Sequence, residues 1–112
     1  MSDELLSIAE FGRAQFRVGQ ILSATSHPDP KVTKLLVLSV DVGEETPRQV
    51  VAGIATKYKP EELVGRKIIV VVNLQPAKLR GVDSTGMLLA AGGDAGVIDL
   101  VTVDAPPGTV VR

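Results

Sequence analysis

The chain of 112 residues has no cysteine and no tryptophan. Without thiols it has neither disulfides nor thiolate metal ligands, which excludes a scaffold stapled by bridges. Its single histidine, His27, sits beside Pro28 in a loop. One imidazole builds no metal site by itself, and a general base needs a partner that orients it. The longest aliphatic run, Ile68 to Val72, is far shorter than the ~20 residues that span a bilayer. At the N-terminus, MSDELLSIAEF places Asp3 and Glu4 where a secretory signal carries Lys or Arg. We read Met1 and the short leader as the start of a complete chain, cytoplasmic and without a membrane partner.

What the chain does have is apolar material and an uneven charge. With 45% hydrophobic residues it can build one core, so we read residues 1–112 as a single domain. The net charge of −1 hides a division: 1–12 carry three acids and no cation. Residues 13–80 carry eleven cations against six acids, and 81–112 carry Arg112 against Asp83, Asp94, Asp99 and Asp104. A basic middle between acidic ends permits a basic patch, which a polyanion needs.

Ser7 and Glu10 have capping-box spacing, which predicts a short helix from Ile8 to Arg13. FRVGQIL alternates and then changes phase near Gly19, which predicts a β-bulge there. HPDPKV is a loop. KLLVLSVDV directs Leu36, Leu38, Val40 and Val42 to one face, a strand signal. RQVVAGI supplies a third strand. In KYKPEELVG, Pro60 suits a first helical turn, with Glu61 and Glu62 at its positive end and Gly65 at the stop. KIIVVV is a fourth strand and GMLLAA a fifth. GGDAG reads as a turn, VIDLVTV as a sixth β-like segment, and DAPPGTVV as a tail with a last short strand. Three strands, a helix and two strands is the order of an OB-fold, a five-stranded Greek-key barrel, with a glycine-bearing sandwich as the alternative that the placing of the helix disfavours. The expected layout is all-β: a leader over 1–10, the core over 11–91 and a C-terminal β extension over 92–112.

Catalytic readings find little support. Ser84 and Lys78 form a Ser–Lys pair in name, but any loop of this composition offers one. GGDAG precedes a strand-like segment rather than a helix, so it lacks phosphate-cradling geometry. No cofactor is implied. Binding fares better. NLQPAKLRGVDSTGM, 73–87, interrupts two apolar runs and is far longer than the usual turn of about two to five residues. Read as extended chain, it projects Lys78 and Arg80 to one side and Ala77 and Leu79 to the other. Phe11 and Phe16 look like core residues, which leaves Tyr58, between two lysines, as the free stacking platform. A site this poor in stacking surfaces reads phosphates and shape.

The stretch NLQPAKLRGVDSTGMLLAA resembles the signature of the tRNA-binding OB domain. That domain occurs as the C-terminus or β chain of methionyl-tRNA synthetase and in free-standing tRNA-binding proteins. FRVGQIL, KLLVLSVDVGEE, RQVVAGIATKYKPEELVG and APPGTVV match in family order, so the resemblance runs from about Phe11 onward. It implies a homodimer that binds tRNA by shape, with methionyl-tRNA synthetase as a partner and no aminoacylation of its own. Carried over by position, the tRNA-binding residues are Lys34, Asn73, Lys78, Arg80, Ser84 and Met87; Arg17 is added from the basic middle. Lys78 and Arg80 would meet phosphates and Ser84 would donate to one. Asn73 and Met87 would shape the pocket. Dimer contacts would come from Leu5, Leu6 and Ile8 and from VIDLVTV. Two departures stand out. HPDPKVTKL is two residues longer than the usual loop, with Thr33 where an acid precedes the lysine. Thr85 stands where Gln or Glu is common. A relative of this fold linked to export uses an apolar groove for unfolded polypeptide, and that is the alternative function.

Overall fold

The computed structural model describes residues 4–92 and 96–112. A capped turn opens it: α1 (Ile8–Phe11) begins where the Ser7 hydroxyl accepts from the Glu10 amide and Glu10 reaches back to the Ser7 amide, both at 3.0 Å. This reciprocal pair satisfies two amides that a helix start otherwise leaves open. After it runs β1 (Phe16–Ser26), the longest strand, which serves two neighbours. Its first half pairs antiparallel with β4 (Lys67–Val71) and its second half with β2 (Leu36–Asp41), which in turn pairs with β3 (Arg48–Ala52). Between β3 and β4 lies α2 (Pro60–Leu63), whose Leu63 is fully buried in the core.

After β4 the chain forms a hairpin arm, β5 (Ala77–Leu79) and β6 (Val82–Ser84), then β7 (Met87–Leu88) on β4. β8 (Ala90–Gly92) pairs with β9 (Ile98–Leu100), and β10 (Val110–Val111) returns to β1. The result is the nearly closed antiparallel barrel that the element order implied, with strand order β3-β2-β1-β4-β7. The segment 92–112 is more than an appendage, because Leu100 joins the core cluster. The GGDAG turn falls mostly on 93–95, and Asp3 on 1–3; both lie outside the described residues.

β2 and the residue after it show the inward alternation expected of them: Leu36, Leu38, Val40 and Val42 are all buried, in one core cluster with Val50, Ile68 and Val70. The bend of β1 departs from expectation. The register shifts between Ile21 and Ser23, so the bulge is at Leu22 and not at Gly19. Gly19 has a different task. A Cβ there would lie 2.6 Å from Val40 Cγ1 and 2.9 Å from Val70 Cγ2. Side chains from β2 and β4 meet beneath β1 at this point, and only a hydrogen fits.

Gly19→Ala should therefore destabilise the fold by about 2 kcal/mol, the usual cost of overpacking a tight core. Urea unfolding would show it as a lower midpoint with an unchanged slope.

Candidate nucleic-acid interface

The barrel closes between β3 and the segment after the arm, and it closes largely through side chains. Val51 N–H donates to Ser84 Oγ at 3.0 Å, and that hydroxyl donates to the Gly86 carbonyl at 2.9 Å. Gln49 Nε2 donates to the Asp83 carbonyl at 2.7 Å, and the Thr85 amide to the Gln49 carbonyl at 2.9 Å. Arg48 Nη1 donates to both the Val72 and the Thr85 carbonyls at 2.7 Å. Val72 and Thr85 flank the arm, so one guanidinium grips both ends of its base. Glu44 holds Arg48 from the other side, at 2.8 and 2.9 Å.

The long insertion is thus a hairpin rather than an extended loop. Leu79 pairs with Val82, leaving Arg80 and Gly81 as a two-residue turn with φ of 51° and 89°. Positive φ at both central positions is the type I′ turn, which suits the twist of paired strands. Arg80 is the one described residue other than glycine with positive φ. An L-residue there costs on the order of 1 kcal/mol. The turn also corrects the expected alternation: it ends at Leu79, so Lys78 and Arg80 are not carried together by one extended chain. Lys78 lies opposite Asp83, 3.4 Å away, with both side chains about two-thirds exposed. Arg80 instead borders a pocket of about 430 Å³ with Lys31, Val32, Thr33, Lys34 and Leu35.

The loop supplying those lysines is tied to the arm. His27 is only 6% exposed, accepts from the Asp29 amide at Nδ1 (3.0 Å), and faces the Leu79 carbonyl with Nε2 at 3.4 Å. The structure therefore brings Lys34 and Arg80 together, with Lys78 on the same arm. It does not bring the other candidates to that pocket. Ser84 is 3% exposed and its hydroxyl is used in barrel closure, so it offers no hydrogen to a phosphate. Asn73 braces the leader, accepting from the Gln15 amide at 2.7 Å and donating to the Arg13 carbonyl. Met87 is exposed on β7 opposite Val71. Arg17 borders a separate groove of about 540 Å³ with Ile8, Phe11, Phe16, Val110 and Arg112.

The aromatics also sit elsewhere than expected. Tyr58 is buried: its hydroxyl accepts from the Leu100 amide at 3.1 Å, and the Arg66 guanidinium lies 5.2 Å from its ring centre. It is a core residue and not a stacking platform. Phe11, expected inside, is 49% exposed and stands 5.9 Å from Phe16 in the terminal groove. Sequence reading missed His27 and Arg48 because their partners lie far along the chain, and it passed over Lys31. The four-residue spacing of Glu44 and Arg48 was the only local signal.

The Glu44–Arg48 pair has an electrostatic signature. The hydrogen bond from Arg48 holds the Glu44 carboxyl below the ordinary glutamate range, with Arg17 adding a smaller attraction. The same bond raises Arg48 above its ordinary value.

Residues 16–110 match the family described as "Putative tRNA binding domain". The methionine–tRNA ligase of Deinococcus radiodurans is 49% identical over 113 aligned positions, which take in 99% of this chain and 16% of that protein. The chain thus spans about one-sixth of the length of the curated relatives it matches. Among solved structures, a MetRS-related protein from Pyrococcus horikoshii superposes with a TM-score of 0.89 at 41% identity, covering 97% of this chain and 99% of that one. The chaperone CsaA of Bacillus anthracis superposes at 0.84 with 28% identity, covering 97% and 100%.

Arg48→Met should cost about 2 kcal/mol, because two carbonyls at the arm's base lose a charged donor. The Glu44 contribution has a defined sign. Its folded pKa lies below the unfolded one, so the stabilisation is present above the ordinary glutamate range and is lost as pH falls through the lowered value. Being largely exposed, it is small, no more than ~0.5 kcal/mol. Urea midpoints of wild type and Arg48→Met should therefore converge slightly below that range.

Proposed function

Because this chain belongs to the tRNA-binding domain family, we propose that it binds tRNA along the wall formed by residues 27–35 and the β5–β6 arm. It does so through backbone and shape, with little sequence preference and no reaction of its own. The observation that carries this reading is the meeting of Lys31, Lys34 and Arg80 around one pocket, with Arg80 in a strained turn. The hairpin turn needs positive φ at this position, but Asn or Gly would meet that need at lower cost than arginine; such strain gathers at binding sites. In OB-folds the loops after the first and fourth strands are where oligonucleotides bind, and here they are residues 27–35 and the arm.

Lys78 completes the wall as a second phosphate contact, exchanging its exposed partner Asp83 for the nucleic acid. Such a surface ion pair is worth little and is readily given up. With Tyr58 buried and both phenylalanines in the terminal groove, stacking on single-stranded bases has little support near the arm. Shape recognition of a folded RNA fits better. Asn73 and Met87 then act indirectly, by holding the strand ends from which the arm springs.

The setting follows from the relatives. We read this unit as an auxiliary tRNA-binding module of methionyl-tRNA synthetase, free-standing or joined to it. We also read it as a homodimer that uses the terminal groove, lined by the exposed Ile8, Phe11 and Val110, together with the exposed Leu5 and Leu6 that precede α1. Within VIDLVTV, Leu100 is committed to the core, which leaves the exposed Val97 and Val101 as the residues for such contacts. One observation favours a second reading: the same apolar groove, in a fold shared with a chaperone, would suit unfolded polypeptide.

Titration with mixed tRNA at several salt concentrations tests the main reading. Arg80→Asn is the informative variant, because Asn–Gly is a preferred type I′ pair and the turn survives. It should weaken binding and lower the log–log salt slope by about 0.7 to 0.9, one phosphate contact. Lys78→Ala should do the same, and both should leave binding of an unfolded polypeptide unchanged. Wild-type binding of the polypeptide but not of tRNA would put the second reading first.

A further inference from the structure

Resting on the tRNA-binding reading, the geometry points to His27 as a positioning residue. It joins the two walls of the Lys31–Lys34–Arg80 pocket into one subsite for a backbone phosphate. Its own burial, at 6% exposed, keeps the ring from serving as a contact. Its nitrogens are committed in opposite senses. Nδ1 accepts from the Asp29 amide, so in the neutral ring the hydrogen sits on Nε2, the atom that faces the Leu79 carbonyl.

Each bond orders one wall. On the loop side, Asp29 is fixed by His27 and in turn holds the next residues: its Oδ1 accepts from the Lys31 amide at 2.9 Å and its carbonyl from the Val32 amide at 3.0 Å. Val32, 9% exposed, anchors the loop while Lys31 stays outside. On the arm side, the Leu79 carbonyl shares a peptide plane with the Arg80 nitrogen. Fixing that plane fixes the point from which the positive φ of Arg80 starts. The histidine thus sets both the Lys31 backbone and the Arg80 backbone.

The pocket's chemistry suits a phosphate. Three of the six residues lining it are cations and none is acidic. The nearest acid on the loop, Asp29, has an oxygen occupied by the Lys31 amide. A guanidinium with ammonium groups beside it combines directional donors with mobile point charges, an arrangement suited to a phosphate's several oxygens. Lys31 comes from the loop HPDPKVTKL, which thus gives this pocket a cation beside Lys34. Preassembly matters because ordering two loops on binding would subtract from affinity.

Two His27 variants separate the bonds. Asn keeps an acceptor for the Asp29 amide, two residues on, but is too short for Leu79; Gln has the longer reach. His27→Asn should weaken mixed-tRNA binding about fivefold, the scale of one neutral hydrogen bond. It should speed amide exchange at Leu79 to Val82 in the free protein, and Gln should restore part of both. In an Arg80→Asn background the same change should cost less than about twofold, since coupled residues are not additive. Equal losses in both backgrounds, or no loss at all, would overturn the positioning role. Lys31→Ala, on an exposed site that folding tolerates, should lower the salt slope by about 0.7 to 0.9. An unchanged slope would remove Lys31 from the subsite. If the wild-type chain bound no tRNA, the proposed function itself would fall, an outcome distinct from additive losses in a chain that binds.

Discussion

The seam between β3 and the segment 83–86 is the constraint on which the rest of the molecule depends. A small barrel must join its third strand to its fifth, and this one does so with few ladder bonds. Ser84, Gln49 and Arg48 stand in for them. Side chains used this way leave the strand free to project a hairpin just before it closes. The arm therefore leaves the barrel at Val72 and re-enters at Thr85, with the Arg48 guanidinium on both carbonyls. Loss of the Arg48 or Ser84 donor leaves a carbonyl of the seam's buried or half-buried part unsatisfied, and that cost exceeds the net value of the bond.

From that base the arm is held at three heights: by Arg48 at the root, by Ser84 and Gln49 along one leg, and by His27 near the tip. A hairpin on its own is marginal in water. Held at three points, it can carry an arginine at positive φ. The charge of Arg80 is thereby set beside cations from a loop more than forty residues earlier in sequence. The nearly neutral chain concentrates its function in the placement of a few cations, not in net charge.

Parts of this were legible in the residues. The alternation of Leu36, Leu38, Val40 and Val42 correctly gave the inward face of β2, because a strand's period is local. Ser7 with Glu10, and Pro60 with Glu61 and Glu62, marked helix starts for the same reason. The family signature located the arm, and the structure brings Lys34 and Arg80, two of the residues carried over by position, to one pocket. What could not be read was long-range. Tyr58 looks exposed between lysines until β9 is known to cover it. Ser84 looks like a free hydroxyl until Val51 is placed opposite. Arg–Gly is an unusual type I′ pair, so the hairpin turn passed for extended chain. Gly19 was rightly marked as special, but its reason was the crowding of Val40 and Val70 and not a bulge.

The central claim is that the loop 27–35 and the β5–β6 arm form the tRNA-facing wall. Amide chemical-shift mapping of the isotope-labelled chain during a titration with mixed tRNA tests it most directly. The account predicts that the largest changes fall on residues 27–35 and 77–84, with the terminal groove around Ile8, Phe11 and Val110 little affected. Changes centred on that groove, with the arm silent, would contradict it.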